Sequence, residues 1–128
     1  KRVRHDAGAV ADMIRIDAMW LAVQPLDMRA GMDSALARVV GVFGSAKPHT
    51  AYVFSNRRAN RLKVLVHDGV GIWLAARRLH KGKFVWAQDE GSQTRGLSRV
   101  QLDALVVGLP WQRIEGDAMD ASLPTGKE

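Results

Sequence analysis

The chain has 128 residues, 47% of them hydrophobic and 25% charged, which is the profile of one globular domain long enough to bury a core unaided. It contains no cysteine, so a disulfide framework, an iron–sulfur cluster and a thiolate zinc site are excluded, and a reducing compartment is allowed. Nineteen Lys and Arg against 13 Asp and Glu give a net charge of +6, a surplus that points to a polyanionic partner or to a solvated basic surface.

The surplus is local. Between Ser55 and Arg99 ten basic residues stand against three acidic ones, so that stretch carries +7 and the remainder −1. No apolar run is long enough to cross a bilayer, and no signal-peptide pattern opens the chain. The chain starts on Lys1 rather than Met, which reads as a processed or truncated product. Residues 1–12 are small and polar and read as a flexible N-terminal extension. Residues 116–128 are polar, with Pro124 and Gly126, and read as a flexible C-terminal tail. One domain over residues 13–115 is expected between them.

In chain order, Ile14, Ile16, Trp20, Leu21 and Val23 read as one or two short strands ended by Pro25. Asp27 suits a helix N-cap. Met28, Met32, Leu36, Val39, Val40 and Phe43 follow at helical spacing as a core-facing stripe, which Gly44 stops and Pro48 terminates. From Ala51 the period changes to two. Residues 51–55 form a strand with Tyr52 and Phe54 on one side. Residues 62–67 form another, with Leu62, Val64 and Val66 alternating against Lys63, Leu65 and His67. Asp68-Gly69 is a tight-turn signal, because both central positions favour positive φ. Residues 71–79 form the next strand, 80–83 a second turn, and Phe84, Val85 and Trp86 a return strand. Residues 88–96 read as a polar loop. Ser98 with Gln101 fits a capping box, and Leu97 with Leu102 a hydrophobic staple. Leu102, Leu105, Val106 and Leu109 supply the buried face of that helix. Gly108 and Pro110 end it, and Trp111 folds back onto the core. The expected fold is α+β: an antiparallel meander of about four to six strands packed with two helices.

Catalytic constellations are scarce. His5, His49, His67 and His80 are scattered, with no i,i+4 pair. His67-Asp68 is the one suggestive pair, and turn chemistry accounts for Asp68. Asp89 and Glu90 are adjacent, so in extended chain they point apart and suit a solvated loop. No Gly-rich phosphate cradle and no GxSxG motif is present. No catalytic residue, metal site, cofactor or small-molecule substrate is therefore expected. The basic turns are the better site. Arg57, Arg58, Arg61 and Lys63 belong to the first, and Arg77, Arg78, Lys81 and Lys83 surround the second. A guanidinium fork grips phosphate through two bonds, so these eight residues are the expected nucleic-acid-binding set, with an acidic protein face as the rival ligand. Asn56 and Asn60 suit adenine edges or, more simply, turn building. Trp73 and Trp86 suit base stacking or, more simply, core packing.

Several stretches together resemble a known family. Trp20-Leu21-Ala22, Pro25, Asp27-Met28-Arg29 and Gly31 are similar to its opening. Phe54-Ser55-Asn56-Arg57-Arg58, Arg61-Leu62-Lys63-Val64-Leu65 and Asp68-Gly69 are similar to its centre, which Arg78-Leu79, Lys81-Gly82-Lys83-Phe84 and Trp86 continue. Leu97-Ser98, Gln101-Leu102, Gly108 and Trp111 resemble its closing helix. The family is the small TnpB-type, or second-open-reading-frame-like, accessory protein of bacterial insertion sequences of the sixty-six type. It is distinct from the RNA-guided nucleases that share the name. The resemblance spans about residues 13–113. It implies a bacterial cytoplasmic protein, nucleoid-associated if DNA-bound, that supports DNA transposition without catalysis of its own, since the DNA-cleaving acidic triad belongs to the neighbouring transposase. It implies as partners DNA, at transposon ends, and the transposase or another co-encoded protein. Two readings of function follow: non-catalytic DNA binding through basic hairpins, or an adaptor to the transposase. His67 and Val70 depart from the aromatic or acidic residues usual beside the family's Asp-Gly turn.

Overall fold

The computed structural model describes residues 15–88 and 91–114. The extension 1–12, the tail 116–128, and Asp89 with Glu90 lie outside the described residues. In chain order the elements are β1 (Ala18–Ala22), α1 (Met32–Phe43), β2 (Thr50–Ser55), β3 (Arg61–His67), β4 (Ile72–Arg78), β5 (Thr94–Leu97) and α2 (Arg99–Val106). The strands form one sheet in the order β4-β3-β2-β1-β5. Strands β2, β3 and β4 form three strands of the predicted antiparallel meander. Strand β1 lies parallel to β2, with α1 as the crossover, and antiparallel to β5. The fold is α+β, with a mostly antiparallel mixed sheet and two helices.

Burial follows from position in the sheet. All six residues of the central strand β2 are buried, because both faces of the sheet are covered. Ala51 and Val53 point with Leu62, Val64 and Val66 into one core layer, which Phe84, Leu102, Leu105 and Trp111 close. Tyr52, Phe54 and Leu65 point into the other, closed by Ala35 and Val39 of α1. The alternation predicted for β2 and β3 is therefore present, but its two sides are both apolar.

Helix α1 starts at Met32 with Gly31 as N-cap. Asp27 instead closes a turn before it, accepting from the Arg29 backbone N–H at 2.9 Å. The later start rotates the buried stripe. Ala35 and Val39 are fully buried, with Leu36, Val42 and Phe43 packed beside them, while Met32 and Val40 face solvent. Two overlapping stripes share Leu36, Val39 and Phe43, and the sheet selects between them.

The predicted return strand at Phe84, Val85 and Trp86 is absent. Phe84 is buried beneath the sheet, and its N–H donates to the Ala59 carbonyl at 2.6 Å. The Val85 carbonyl accepts from Trp111 Nε1 at 2.6 Å, and Trp86 Nε1 donates to the Ala22 carbonyl at 3.2 Å. Those groups serve the core layer and cannot continue a ladder beside β4. The polar loop predicted over 88–96 instead contains most of β5, which pairs Trp20 with Gly96 and Leu21 with Arg95.

The β3–β4 hairpin keeps the Asp68-Gly69 signal with a different turn. His67 pairs with Ile72, so residues 68–71 form a four-residue loop in which Gly69 alone, among its two signal residues, has positive φ, +94°. A Cβ on Gly69 would sit 3.1 Å from the His49 ring, a second reason for glycine there. Asp68 holds the loop together. Its Oδ1 accepts from the N–H groups of Val70 at 2.8 Å and Gly71 at 2.7 Å, and its Oδ2 from Trp73 Nε1 at 2.7 Å. Those donors favour the charged carboxylate, the two backbone N–H groups most, and pull its pKa from 3.8 down to about 2. A depressed folded-state pKa means that the bonded carboxylate stabilises the hairpin above the unfolded value and loses that contribution as pH falls from about 3.8 through about 2. Indole fluorescence is therefore expected to show an acid transition near that value, absent in Asp68→Asn. An identical transition in both proteins counts against the assignment.

Helix α2 bears the predicted capping box: Gln101 N–H donates to Ser98 Oγ at 3.1 Å, and Ser98 N–H donates to Gln101 Oε1 at 2.9 Å. The helix ends before Leu109, which is exposed. Trp111 folds back onto the core as expected and is 0% exposed. Among the described residues no helix is long and apolar enough to cross a membrane.

Candidate nucleic-acid interface

The loop from β2 to β3 is built by its own asparagines. Asn56 Oδ1 accepts from the N–H groups of Asn60 at 3.0 Å and Arg61 at 3.1 Å, while Asn56 Nδ2 donates to Asn60 Oδ1 at 2.7 Å. Both side chains are committed to the turn, which agrees with turn building over base reading. The turn after β4 is tied to this loop through backbone: Leu79 N–H donates to the Asn60 carbonyl at 3.0 Å and Phe84 N–H to the Ala59 carbonyl at 2.6 Å. Two segments some twenty residues apart in sequence thus meet at one end of the sheet.

That meeting sorts the eight predicted cations. Arg57 and Arg58 sit exposed in the first loop, and Lys81 and Lys83 exposed in the second. Arg61 and Arg78 are cross-strand partners on the α1 side of the sheet, both exposed. Among the described residues Arg15, Arg29 and Arg99 pair with Asp17, Asp27 and Asp103, and no carboxylate pairs with any of these six. Lys63 and Arg77 differ. Lys63 Nζ donates to the Ala30 carbonyl at 2.7 Å, which ties β3 to the segment before α1. Arg77 lies opposite Leu62 on the other face, and its Nε donates to the Val106 carbonyl at the C-terminal end of α2, where the helix dipole favours a cation. Strand alternation decides this split. The other two cations of the basic stretch also lie away from the end. Arg95 sits on β5 at the far side of the sheet, 4.9 Å from the Trp111 ring centre, and Arg99 opens α2.

A cleft of about 420 Å³ opens beside the first loop, lined by Pro25, Leu26, Asp27 and Met28 on one wall and Asn56, Arg57, Arg58 and Arg61 on the other. The first wall was not singled out from sequence. The sequence marked Pro25 as a strand end, Asp27 as a helix N-cap and Met28 as part of a helical stripe, and the wall's position depends on a bond from Leu26 N–H to the Ser55 carbonyl at 2.9 Å. Asp27 brings one negative charge to the cleft, held against Arg29 at 2.8 Å and pushed down to about 2, first by that side-chain hydrogen bond.

The tryptophans do not join the cationic end. Trp73 is 42% exposed at the opposite end of β4, so the expectation of core packing fails for it. It lies next to the hairpin loop, and its indole N–H is taken by Asp68. Trp86 is half-buried against the core layer. Among the described residues no group of three His, Asp or Glu is placed to hold a metal ion.

Residues 17–116 match the family described as IS66 Orf2 like protein. The chain belongs to this family. Two relatives from Sinorhizobium fredii show the same kinship. The uncharacterized protein y4hO is 36% identical over 95 residues, covering 73% of this chain and 82% of the relative. The uncharacterized protein y4jC is 33% identical over 99 residues, covering 76% and 83%. No solved structure matches the chain. The IS66 Orf2-like proteins are accessory proteins of transposons, and the matched span contains all eight predicted cations and both walls of the cleft.

Proposed function

We propose that this IS66 Orf2-like protein supports transposition by binding DNA without cutting it, its two tied loops lying on the phosphate backbone. One observation carries the reading: Arg57, Arg58, Arg61, Arg78, Lys81 and Lys83 converge on one end of the sheet with no paired carboxylate among the described residues. Cations without internal partners remain available to displace counterions from a phosphate backbone, which is the main source of affinity in sequence-independent binding. The two asparagines of the loop are spent on each other, so base reading has little support. The cleft between Pro25 and Arg58 offers a concave seat for one backbone phosphate flanked by guanidinium groups.

A salt titration tests this. Binding to transposon-end duplex and to random duplex of equal length is expected to weaken steeply with salt, and with similar slopes for both. No binding at low salt, or an affinity indifferent to salt, rejects the reading. A complex with the transposase that survives nuclease and is lost with these cations would reassign the patch to a protein partner.

A further inference from the structure

The cleft beside the first basic loop measures about 420 Å³, the size of a pocket that takes a small organic group rather than a lone phosphate. Its two walls differ in chemistry. Arg57, Arg58 and Arg61 supply one, and Pro25, Leu26 and Met28 make the other apolar apart from the Asp27 carboxylate. Asp27 repels a phosphate from its own wall, so an anion settles against the guanidinium groups and leaves the apolar wall to an uncharged group. Both walls are held before any ligand arrives. Arg38 Nη2 donates to the Pro25 carbonyl at 2.8 Å, and the N–H groups of Leu26 and Ala30 donate to the Ser55 and Asp27 carbonyls, each at 2.9 Å. The opposite wall stands on the bonds between Asn56 and Asn60. A second hollow of about 280 Å³ adjoins the first, sharing Met28 and Arg61 with it and reaching Arg78. Two cationic hollows thus lie in series across this end of the sheet.

We propose that the cleft takes one unpaired nucleotide of the DNA, its base packed on Pro25, Leu26 and Met28 and its phosphate held by Arg57 and Arg58, with the next phosphate of the same strand at Arg61 and Arg78. Such a site rests on the DNA reading, and it narrows the ligand to DNA with a nucleotide out of the stack. A paired base is enclosed by the duplex and reaches no cleft, whereas a base freed at an end, a fork or a gap does. A nucleotide divides as the cleft divides, into a flat apolar face and an anionic group. Guanidinium planes stack on bases as well as grip phosphate, so the arginine wall adds to the base contact. Among the described residues no aromatic ring lines the cleft, so the apolar contact is made by aliphatic side chains, against the face that every base presents. Both asparagines of the loop are committed to the turn and leave the base edge unread. The cleft therefore discriminates between paired and unpaired DNA, not between sequences.

Three DNAs of equal duplex length test this on the full chain: one blunt, one with a short unpaired extension, and one with an abasic extension of the same length. The abasic extension carries the same phosphates without the bases. The unpaired extension is expected to bind about tenfold tighter than the abasic one, and that ratio is expected to hold as salt rises, because packing a base releases no counterions. Met28→Ala is expected to bring the ratio close to one with the circular dichroism unchanged. Met28→Leu keeps an apolar side chain at the same place and is expected to keep most of the ratio. Equal affinity of the parent chain for the unpaired and abasic extensions overturns the proposal, and the DNA reading then stands without it if blunt duplex is still bound with a steep salt dependence. A ratio undiminished by Met28→Ala also overturns it, since the base then packs elsewhere. A chain that binds none of the three DNAs at low salt removes the DNA reading and the nucleotide site together.

Discussion

Trp111→Ala is expected to remove most of the stability of the domain. The indole is the largest fully buried side chain, 0% exposed, and it closes the core layer beneath β1, β2 and β3. Truncating a buried tryptophan costs about 3–5 kcal/mol through lost transfer and the cavity left behind. The substitution also strands the Val85 carbonyl, which now accepts from Nε1 at 2.6 Å, and takes away the ring under Arg95. Losing that part-buried hydrogen bond costs about 1 kcal/mol more. Against a total of about 5–15 kcal/mol for a domain of this kind, the variant is expected to be close to unfolded. Trp111→Phe keeps most of the ring volume and loses the hydrogen bond, so it should fall between the two. Urea unfolding followed by circular dichroism checks both. A midpoint for Trp111→Ala equal to that of the parent chain would mean that the indole does not close the core.

The second large effect is expected in binding rather than folding. Arg57, Arg58 and Arg61 are exposed, hold up no core layer, and pair with no carboxylate among the described residues. Replacing all three with Ala should leave the fold intact. If each covers one phosphate, its removal lowers the slope of log affinity against log salt by about 0.9, so the triple variant loses about 2.7 from the slope. At about 0.1 M salt that corresponds to roughly a 10²–10³-fold loss of affinity for any duplex, with no change in preference between sequences. Arg15→Ala serves as the control, since Arg15 is an exposed cation paired with Asp17 at 2.7 Å. It should leave the slope nearly unchanged. A triple variant whose slope equals that of the parent chain would sink the assignment of these arginines to the phosphate backbone.

Signals confined to a few neighbouring residues were legible in the sequence. Ser98 and Gln101 cap α2 as their spacing requires, because both halves of the box lie within one turn. Asp68-Gly69 marks the hairpin because Gly69 must take positive φ, although the loop length depends on the carboxylate bonds that no propensity records. Sheet edges were not legible. Strand β5 contains Gly96 and Arg95, residues with little preference for a strand, and it exists because β1 offers an unpaired side for it. Phe84, Val85 and Trp86 have strong strand preference and form none, because their polar groups and rings are claimed by Ala59, Trp111 and Ala22. Likewise the buried face of α1 turned on where the helix starts, which Val39 and Val40 side by side leave undecided.

The sequence by itself determined an α+β fold of the IS66 Orf2-like kind, rich in cations along its middle and built around an antiparallel meander. Those properties reside in composition, period and short motifs, each set by residues close together in the chain. Only the tertiary structure decided which cations share a surface. Strand alternation sends Arg77 to the far face and Arg61 with Arg78 to the near one. The bonds from Leu79 and Phe84 to the 56–60 loop bring Lys81 and Lys83 beside Arg57 and Arg58. The physical reason is range: a charge is a property of one residue, whereas a patch is a property of the register and the crossings that carry residues from distant parts of the chain to one place.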